Sequence, residues 1–178
     1  EMNINEKIPQ ENDERVNHII KKILLQNDNA KLEIDDLAED IYVSNTTVMR
    51  TIEDAKKLCQ NFNLELRVQK NIVNLVGPER NRRKLMKHIY ISEFGSNNIS
   101  IQTMEKLFPT YNLAVLRGII HEICKKHKYY INGYSYDYLL LDTLITLDRI
   151  KSNHPNQKNI KDINEFDIAE SKVAKEII

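Results

Sequence analysis

The sequence predicts a mostly α-helical protein that carries one short β-hairpin in its first half. Along most of the chain, apolar residues recur three or four positions apart, which is the spacing of one helix face. Only between Leu64 and Val76 do apolar and polar residues alternate, as they do in strands. The 178 residues include only four Gly and four Pro, too few for a turn-rich all-β fold.

Three helices are predicted before the hairpin. The first covers about residues 12–26, with apolar positions at Val16, Ile19, Ile20, Ile23 and Leu24. The second is short and carries Ile34, Leu37, Ala38 and Ile41. The third begins after Ser44, a good N-cap residue, and runs to about Phe62, with inward positions Val48, Ile52 and Leu58.

The hairpin is followed by a basic helix and then by further helices. Residues 64–68 and 72–76 are the two predicted strands, with Gln69, Lys70 and Asn71 between them. Pro78 suits the first turn of a helix that reaches about Ile91 and is rich in Arg and Lys. Further helices are predicted at about 100–107, 112–126, 135–152 and 165–178.

Residues 34–52 have the pattern of a helix-turn-helix. This motif needs a small residue where its two helices touch, apolar residues on both inner faces and a tight turn. Ala38 suits the contact, Val43 the turn, and Ser44 the cap of the second helix, whose N-terminus attracts anions. Because a hairpin follows, we predict a winged helix-turn-helix with a small β-hairpin wing, and after it a helical bundle.

Candidate contacts to DNA lie on the third helix and on the wing. Short polar groups and Arg suit phosphates and base edges in a major groove. On the helix the candidates are Ser44, Asn45, Thr46, Thr47 and Arg50, and on the wing they are Arg67, Gln69, Lys70 and Asn71. A capped helical hairpin also occurs in proteins that never touch DNA, so the assignment depends on the adjoining wing and on charge.

The formal net charge of zero conceals a segregation along the chain. Residues 1–44 carry five Lys and Arg against eleven Asp and Glu, whereas residues 45–90 carry ten against four. The remaining residues carry eleven of each sign. A basic block at the predicted helix-turn-helix and wing is typical of a nucleic-acid face, although charge alone also fits a solvated helix surface.

The segments LEIDDLAEDIYVSNTTVMRTIEDAKKL and NLELRVQKNIVNLVGPERNRRKLM resemble the Mga-type helix-turn-helix of bacterial sugar-operon regulators. These are the mannitol-, lichenan- and mannose-operon regulators related to BglG. In that family the domain is followed by PTS regulation domains (PRDs), helical bundles that the sugar phosphotransferase system phosphorylates on histidine. Residues 112–152 resemble the first part of a PRD, and in YDYLLLDTLITLDRIKSN the residues Asp148, Arg149 and Ile150 match the end of a PRD helix.

The resemblance departs from the family at Asp142, which stands where the phosphorylatable histidine is usual. Leu139, Leu140, Ile145 and Leu147 suggest a largely apolar surrounding for this carboxylate. Asp142 either imitates a permanently charged state or marks a regulation domain that has lost its site and serves dimerisation. The second histidine of a PRD would lie beyond Ile178.

The expected function is that of a DNA-binding transcriptional regulator, expected to act as an activator, of a sugar-uptake or sugar-metabolism operon. Its expected partners are double-stranded DNA, phosphocarrier proteins of the phosphotransferase system acting on the full-length protein, and a second copy in a homodimer. Two alternatives stay open: an interaction fragment without DNA contact, and an RNA-binding antiterminator of the BglG type. The helical pattern of residues 12–62 speaks against the antiterminator, which begins with a β-rich domain.

The expected organisation is a lead-in at 1–12, a winged helix at 13–77, a basic linker helix at 78–98 and a partial PRD-like domain at 99–178. Because the chain lacks an initial Met and stops within a helical pattern, we expect a fragment. No spacing of the five His or two Cys suggests a metal or catalytic site, so neither an enzyme nor a cofactor is expected. Two reduced cysteines, and no apolar run that spans a bilayer, indicate a cytoplasmic location without membrane attachment.

Overall fold

The computed structural model describes residues 8–26, 31–94, 100–154 and Glu176, and in these the chain is mostly helical with one small antiparallel sheet. The chain divides into two compact units, 1–89 and 90–178. In chain order the elements are α1 (Asn12–Leu25), β1 (Leu32–Glu33), α2 (Ile34–Asp40), α3 (Asn45–Gln60), β2 (Glu65–Gln69), β3 (Ile72–Val76), α4 (Glu79–Phe94), α5 (Ile101–Leu107), α6 (Leu113–Lys126) and α7 (Gly133–Lys151).

The core of the first unit is built from the apolar faces of its helices. On α1 the residues predicted from periodicity are the buried ones, and Ile19 and Ile20 are fully buried. On α3 the buried side chains include Val48 and Ile52, as predicted, whereas the predicted inward residue Leu58 is only half-buried. The helix turns by about 100° per residue, which brings Ala55 and Cys59 into the core instead.

The predicted hairpin is confirmed, and it belongs to a three-stranded sheet in the order β1-β3-β2. Strands β2 and β3 are antiparallel, with Glu65 opposite Val76 and Gln69 opposite Ile72. The two residues of the turn, Lys70 and Asn71, both have positive φ, as in the type I′ turns that suit the twist of hairpins. Strand β1 was not predicted, because its two residues are too few to show an alternating pattern.

Helix α4 begins after Pro78, as predicted, and extends three residues beyond the predicted end at Ile91. Its Leu85, Met86 and Ile89 are buried. Before it, Gly77 has a φ of 146°, and a Cβ at this position would lie 2.5 Å from Leu64 Cδ2. Only glycine fits this junction between the wing and α4, since it has no Cβ and tolerates positive φ.

The second unit is helical in its described residues. Ser100, Asn112 and Asn132 cap α5, α6 and α7 with side-chain oxygens that accept backbone N–H groups. The buried apolar residues of these helices are Met104, Leu113, Ile120, Ile123, Cys124, Leu140, Leu141, Leu144 and Ile145. The helix predicted at 165–178 lies outside the described residues except for Glu176.

The tyrosines around Asn132 differ in their burial. Tyr136 is half-buried, and its hydroxyl donates to the Arg117 carbonyl oxygen at 2.6 Å. Tyr130 and Tyr134 are exposed instead. Because each ring carries a polar hydroxyl, exposing part of a tyrosine side chain to water has a small free-energy cost.

Candidate nucleic-acid interface

The turn between α2 and α3 has the tight geometry that a helix-turn-helix requires. The Val43 amide donates to the Ala38 carbonyl oxygen at 3.0 Å, and Ala38 is buried where the two helices meet. Tyr42 adopts a φ of 54°, the left-handed conformation that often ends a helix, and its ring is exposed. Helices α2 and α3 are thus held in a fixed orientation.

The first turn of α3 is capped as predicted, by the side chain of Ser44. Its hydroxyl oxygen accepts the Thr47 amide at 3.3 Å, and the two hydroxyl oxygens lie 3.1 Å apart. Thr47 is half-buried and belongs to this cap, so it points outward less than the pattern suggested. The exposed positions of the first two turns are Asn45, Thr46, Met49 and Arg50.

The turn of the wing carries the candidates Lys70 and Asn71, and both are exposed. Arg67 lies on β2, where it donates to Glu65 Oε2 at 2.6 Å. This hydrogen bond raises the pKa of Arg67 and lowers the pKa of Glu65. Because the two charges compensate each other, Arg67 offers less attraction to phosphate than the sequence suggested.

Asp35 on α2 connects the start of α3 with the wing turn, and sequence reasoning missed it. Its Oδ1 accepts Asn45 Nδ2 at 2.5 Å, and its Oδ2 accepts Asn71 Nδ2 at 2.8 Å. The three residues are brought together by the fold, from three different elements. The only local signal was an acidic residue in the first turn of a helix, which the helix dipole favours anyway.

The basic block of residues 45–90 is partly neutralised from within. Each of its four acidic side chains bonds to a basic side chain of the same block, in the pairs Glu53–Lys56, Asp54–Lys57, Glu65–Arg67 and Glu79–Arg83. Arg82 donates instead to the Leu75 carbonyl oxygen at 2.6 Å. Arg50 and Lys70 are exposed and have no ion pair among the residues that the structure describes, so they are the cations available beside α3 and the wing.

On the other side of α2, Asp40 joins this helix to α1. Its carboxylate lies 2.6 Å from His18 Nε2 and 2.7 Å from Lys22 Nζ. Burial raises the pKa of Asp40, but hydrogen bonds from Lys22 and His18 outweigh it and hold the pKa below its ordinary value. These contacts hold α2 against α1 and therefore stabilise the position of the first helix of the helix-turn-helix.

In the second unit, Asp142 is exposed on α7, which corrects the expectation of a largely apolar surrounding. Leu140 and Leu141 are buried at other angles around the helix, and Ile145 is buried one turn further along it. Leu139 is only half-buried and Leu147 is exposed, so apolar neighbours in the sequence do not enclose the carboxylate. Arg149, from the matched helix end, is buried.

Among the described residues, no group of three His, Cys, Asp or Glu is placed to bind a metal ion. The same part of the chain contains no helix long and apolar enough to cross a bilayer.

A tight helix-turn-helix followed by an antiparallel hairpin defines a winged helix-turn-helix, a class of DNA-binding fold. Residues 2–90 match the Mga helix-turn-helix domain, and the chain belongs to this family. It is 27% identical over 145 residues to the transcriptional regulator ManR of Bacillus subtilis (strain 168). It is 21% identical over 143 residues to the probable licABCH operon regulator of the same strain. Each similarity covers 80% of this chain but 22% of the relative, so the chain spans about a fifth of these proteins.

Proposed function

We propose that this chain binds double-stranded DNA through α3 and the wing, as part of a transcriptional regulator that acts in the cytoplasm and is not an enzyme. The observation that carries the proposal is the capped start of α3 beside the wing turn, where Asn45 and Asn71 share one carboxylate. Helix α3 would enter the major groove with its exposed Asn45, Thr46 and Arg50. Ser44, Thr47 and the wing residues Arg67, Lys70 and Asn71 would then contact or support contacts to phosphates.

The regulated operon and its control belong to the same proposal. Both named relatives are regulators, one of them of the licABCH operon. With the PRD resemblance of residues 112–152, this supports a regulator that acts as an activator of a sugar-uptake or sugar-metabolism operon. Residues 13–77 would be the DNA-binding domain, 78–98 the basic linker helix, and 99–178 a partial PRD-like domain that forms homodimers. Phosphocarrier proteins would act on the full-length protein.

Binding of the purified chain to nucleic acids tests the DNA proposal. We expect a mixed-sequence duplex DNA to bind at low salt, and to bind more weakly as salt rises, because released counterions drive the association. An RNA hairpin of equal length should bind less tightly. Preference for the hairpin would favour the antiterminator alternative. Failure to bind either, together with stable self-association, would favour the interaction fragment.

A phosphorylated donor protein of the phosphotransferase system tests the control proposal. In this exchange an imidazole nitrogen accepts the phosphoryl group, and a carboxylate does not replace it. We therefore expect that the unaltered chain, which has Asp142 at this position, is not phosphorylated there. Asp142 is exposed, so a histidine placed there by Asp142→His is accessible to a donor. Phosphorylation of this variant alone would support the positional match, whereas phosphorylation of the unaltered chain would contradict the loss of the site.

A further inference from the structure

We propose that Asp35 is a positioning residue that fixes the start of α3 relative to the wing turn and thereby sets how strictly the protein discriminates between DNA sequences. The inference rests on the proposed function, since it concerns the same α3 and wing. Asp35 itself need not touch DNA. It acts through Asn45 and Asn71, the two candidate contacts that it binds.

Each oxygen of the Asp35 carboxylate accepts a hydrogen bond from a different part of the first unit. Oδ1 accepts from Asn45, the first residue of α3, and Oδ2 accepts from Asn71 in the wing turn. The backbone already holds the wing turn to the start of α2, because the Ile34 amide donates to the Asn71 carbonyl oxygen at 2.9 Å. The side chain of Asp35 also connects the start of α3 to the wing turn, because it accepts hydrogen bonds from both Asn45 and Asn71. A change at this one carboxylate therefore loosens α3 and the wing together.

The hydrogen bonds also orient the two amide groups. An Asn side chain has two N–H donors and one carbonyl oxygen, so donating one N–H to Asp35 leaves the other N–H and the oxygen for another partner. These two groups are the pair with which Asn recognises adenine N7 and N6 in the major groove. Asn45 is exposed at the start of α3, where residues of a recognition helix meet base edges. Asp35 thus presents Asn45 in one orientation.

Removing the charge of Asp35 should have opposite effects on the affinity for DNA in general and on the preference for one sequence. A carboxylate at this surface repels phosphates, so removing it should strengthen binding to any duplex. Loss of the oriented Asn45 amide should instead weaken binding to the preferred sequence alone. Asp36 is the matched control, because it is also exposed in the first turn of α2 and carries the same charge. Among the described residues, it makes neither of the two hydrogen bonds that Asp35 makes.

The test is selection from duplexes with a randomised central region, carried out with the unaltered chain and with Asp35→Ala, Asp35→Asn and Asp36→Ala. We expect the unaltered chain and Asp36→Ala to enrich the same motif. For Asp35→Ala, the preference for that motif over a scrambled duplex should fall about tenfold, the size of one bidentate base contact. Asp35→Asn has nearly the same shape and keeps one acceptor oxygen, so it should fold normally and lose part of the preference.

Side-chain amide NMR signals provide a readout that is independent of DNA. The signals of Asn45 and Asn71 should both shift in Asp35→Ala and remain in place in Asp36→Ala. Equal motif preference in all four proteins, or unchanged amide signals in Asp35→Ala, would overturn the inference while leaving DNA binding intact. If the unaltered chain binds mixed-sequence duplex but enriches no motif, the inference fails while DNA binding stands; if it binds no duplex at all, the proposed function fails and the inference fails with it.

Discussion

The amide of Val43 donates a hydrogen bond to the carbonyl oxygen of Ala38 at 3.0 Å, across the turn between α2 and α3. The contact is possible because Tyr42 adopts a left-handed conformation and because Ala38 has a small side chain. It sets the start of α3 at the surface, with Ser44 as its cap. The geometry of the candidate DNA-binding helix therefore depends on this turn.

Ser44→Ala should lower the free energy of unfolding of the first unit by about 1 kcal/mol, because the Thr47 amide loses its acceptor. Denaturant unfolding followed by circular dichroism measures the effect. Ser100→Ala is the matched control, since Ser100 caps α5 in the same way through the amide of Thr103. Both variants should be destabilised, but only Ser44→Ala should also weaken duplex binding. An equal loss of binding in Ser100→Ala would show that the effect reflects stability alone.

Arg50→Ala should weaken binding to the preferred duplex by roughly 1–3 kcal/mol, as for one lost base contact. Fluorescence anisotropy with labelled duplex gives the dissociation constants. Lys56→Ala removes the same charge from α3 but about 120° away around the helix axis, and within the described part of the chain the ion pair that it breaks is the one with Glu53. If the two variants bind equally well, Arg50 does not read the sequence.

Lys70→Ala should weaken binding to all duplexes similarly, because Lys70 in the wing turn is expected to contact phosphate. The plot of log affinity against log salt concentration should become less steep by about one unit, since one fewer counterion is released. Arg67→Ala should have a smaller effect, because Glu65 already compensates Arg67. An unchanged slope in Lys70→Ala would exclude a phosphate contact at the wing turn.

Asp40→Asn should lower stability at neutral pH by roughly 0.5–1 kcal/mol, since the pair with Lys22 is about one-third exposed and partly screened. The folded-state pKa of Asp40 is below its unfolded value of 3.8, so the carboxylate stabilises the fold above that pH. The contribution is lost as the pH falls through the lowered folded pKa.

The difference between the unaltered protein and Asp40→Asn should therefore disappear in acid, which denaturant unfolding at several pH values would reveal. Glu39→Gln is the control, because Glu39 is an exposed neighbour on the same helix. A pH-independent difference for Asp40→Asn would mean that packing, and not charge, supports this contact.

Both cysteines should react slowly with iodoacetamide in the folded protein, because the thiolate is the reactive form. Burial raises the pKa of Cys59 to about 11 and also raises the pKa of Cys124. As one cysteine lies in each unit, labelling in denaturant followed by mass spectrometry reports the opening of each unit. Cys59→Ser isolates the signal of Cys124. Rapid labelling of Cys59 without denaturant would show that the core beneath α3 opens readily.

The helices and the hairpin could be predicted from the sequence because their signals are local. Apolar spacing located α1 and α3 within two residues, and Ser44 marked the start of α3. The change to alternation after Phe62 predicted the wing. Such signals depend on residues a few positions apart, which the chain geometry of a helix or strand brings to one face.

Local patterns in the sequence are thus sufficient to place the helices, the helix-turn-helix and the wing along the chain. They do not reveal that β1 adds a third strand, that Asp142 faces solvent, or that Asp35 joins Asn45 to Asn71, because these depend on how the elements pack. Asn45 and Asn71 lie 10 and 36 positions from Asp35, so no local pattern predicts their contact. A hydrogen bond between distant residues forms only when packing of the apolar core has already placed their backbones.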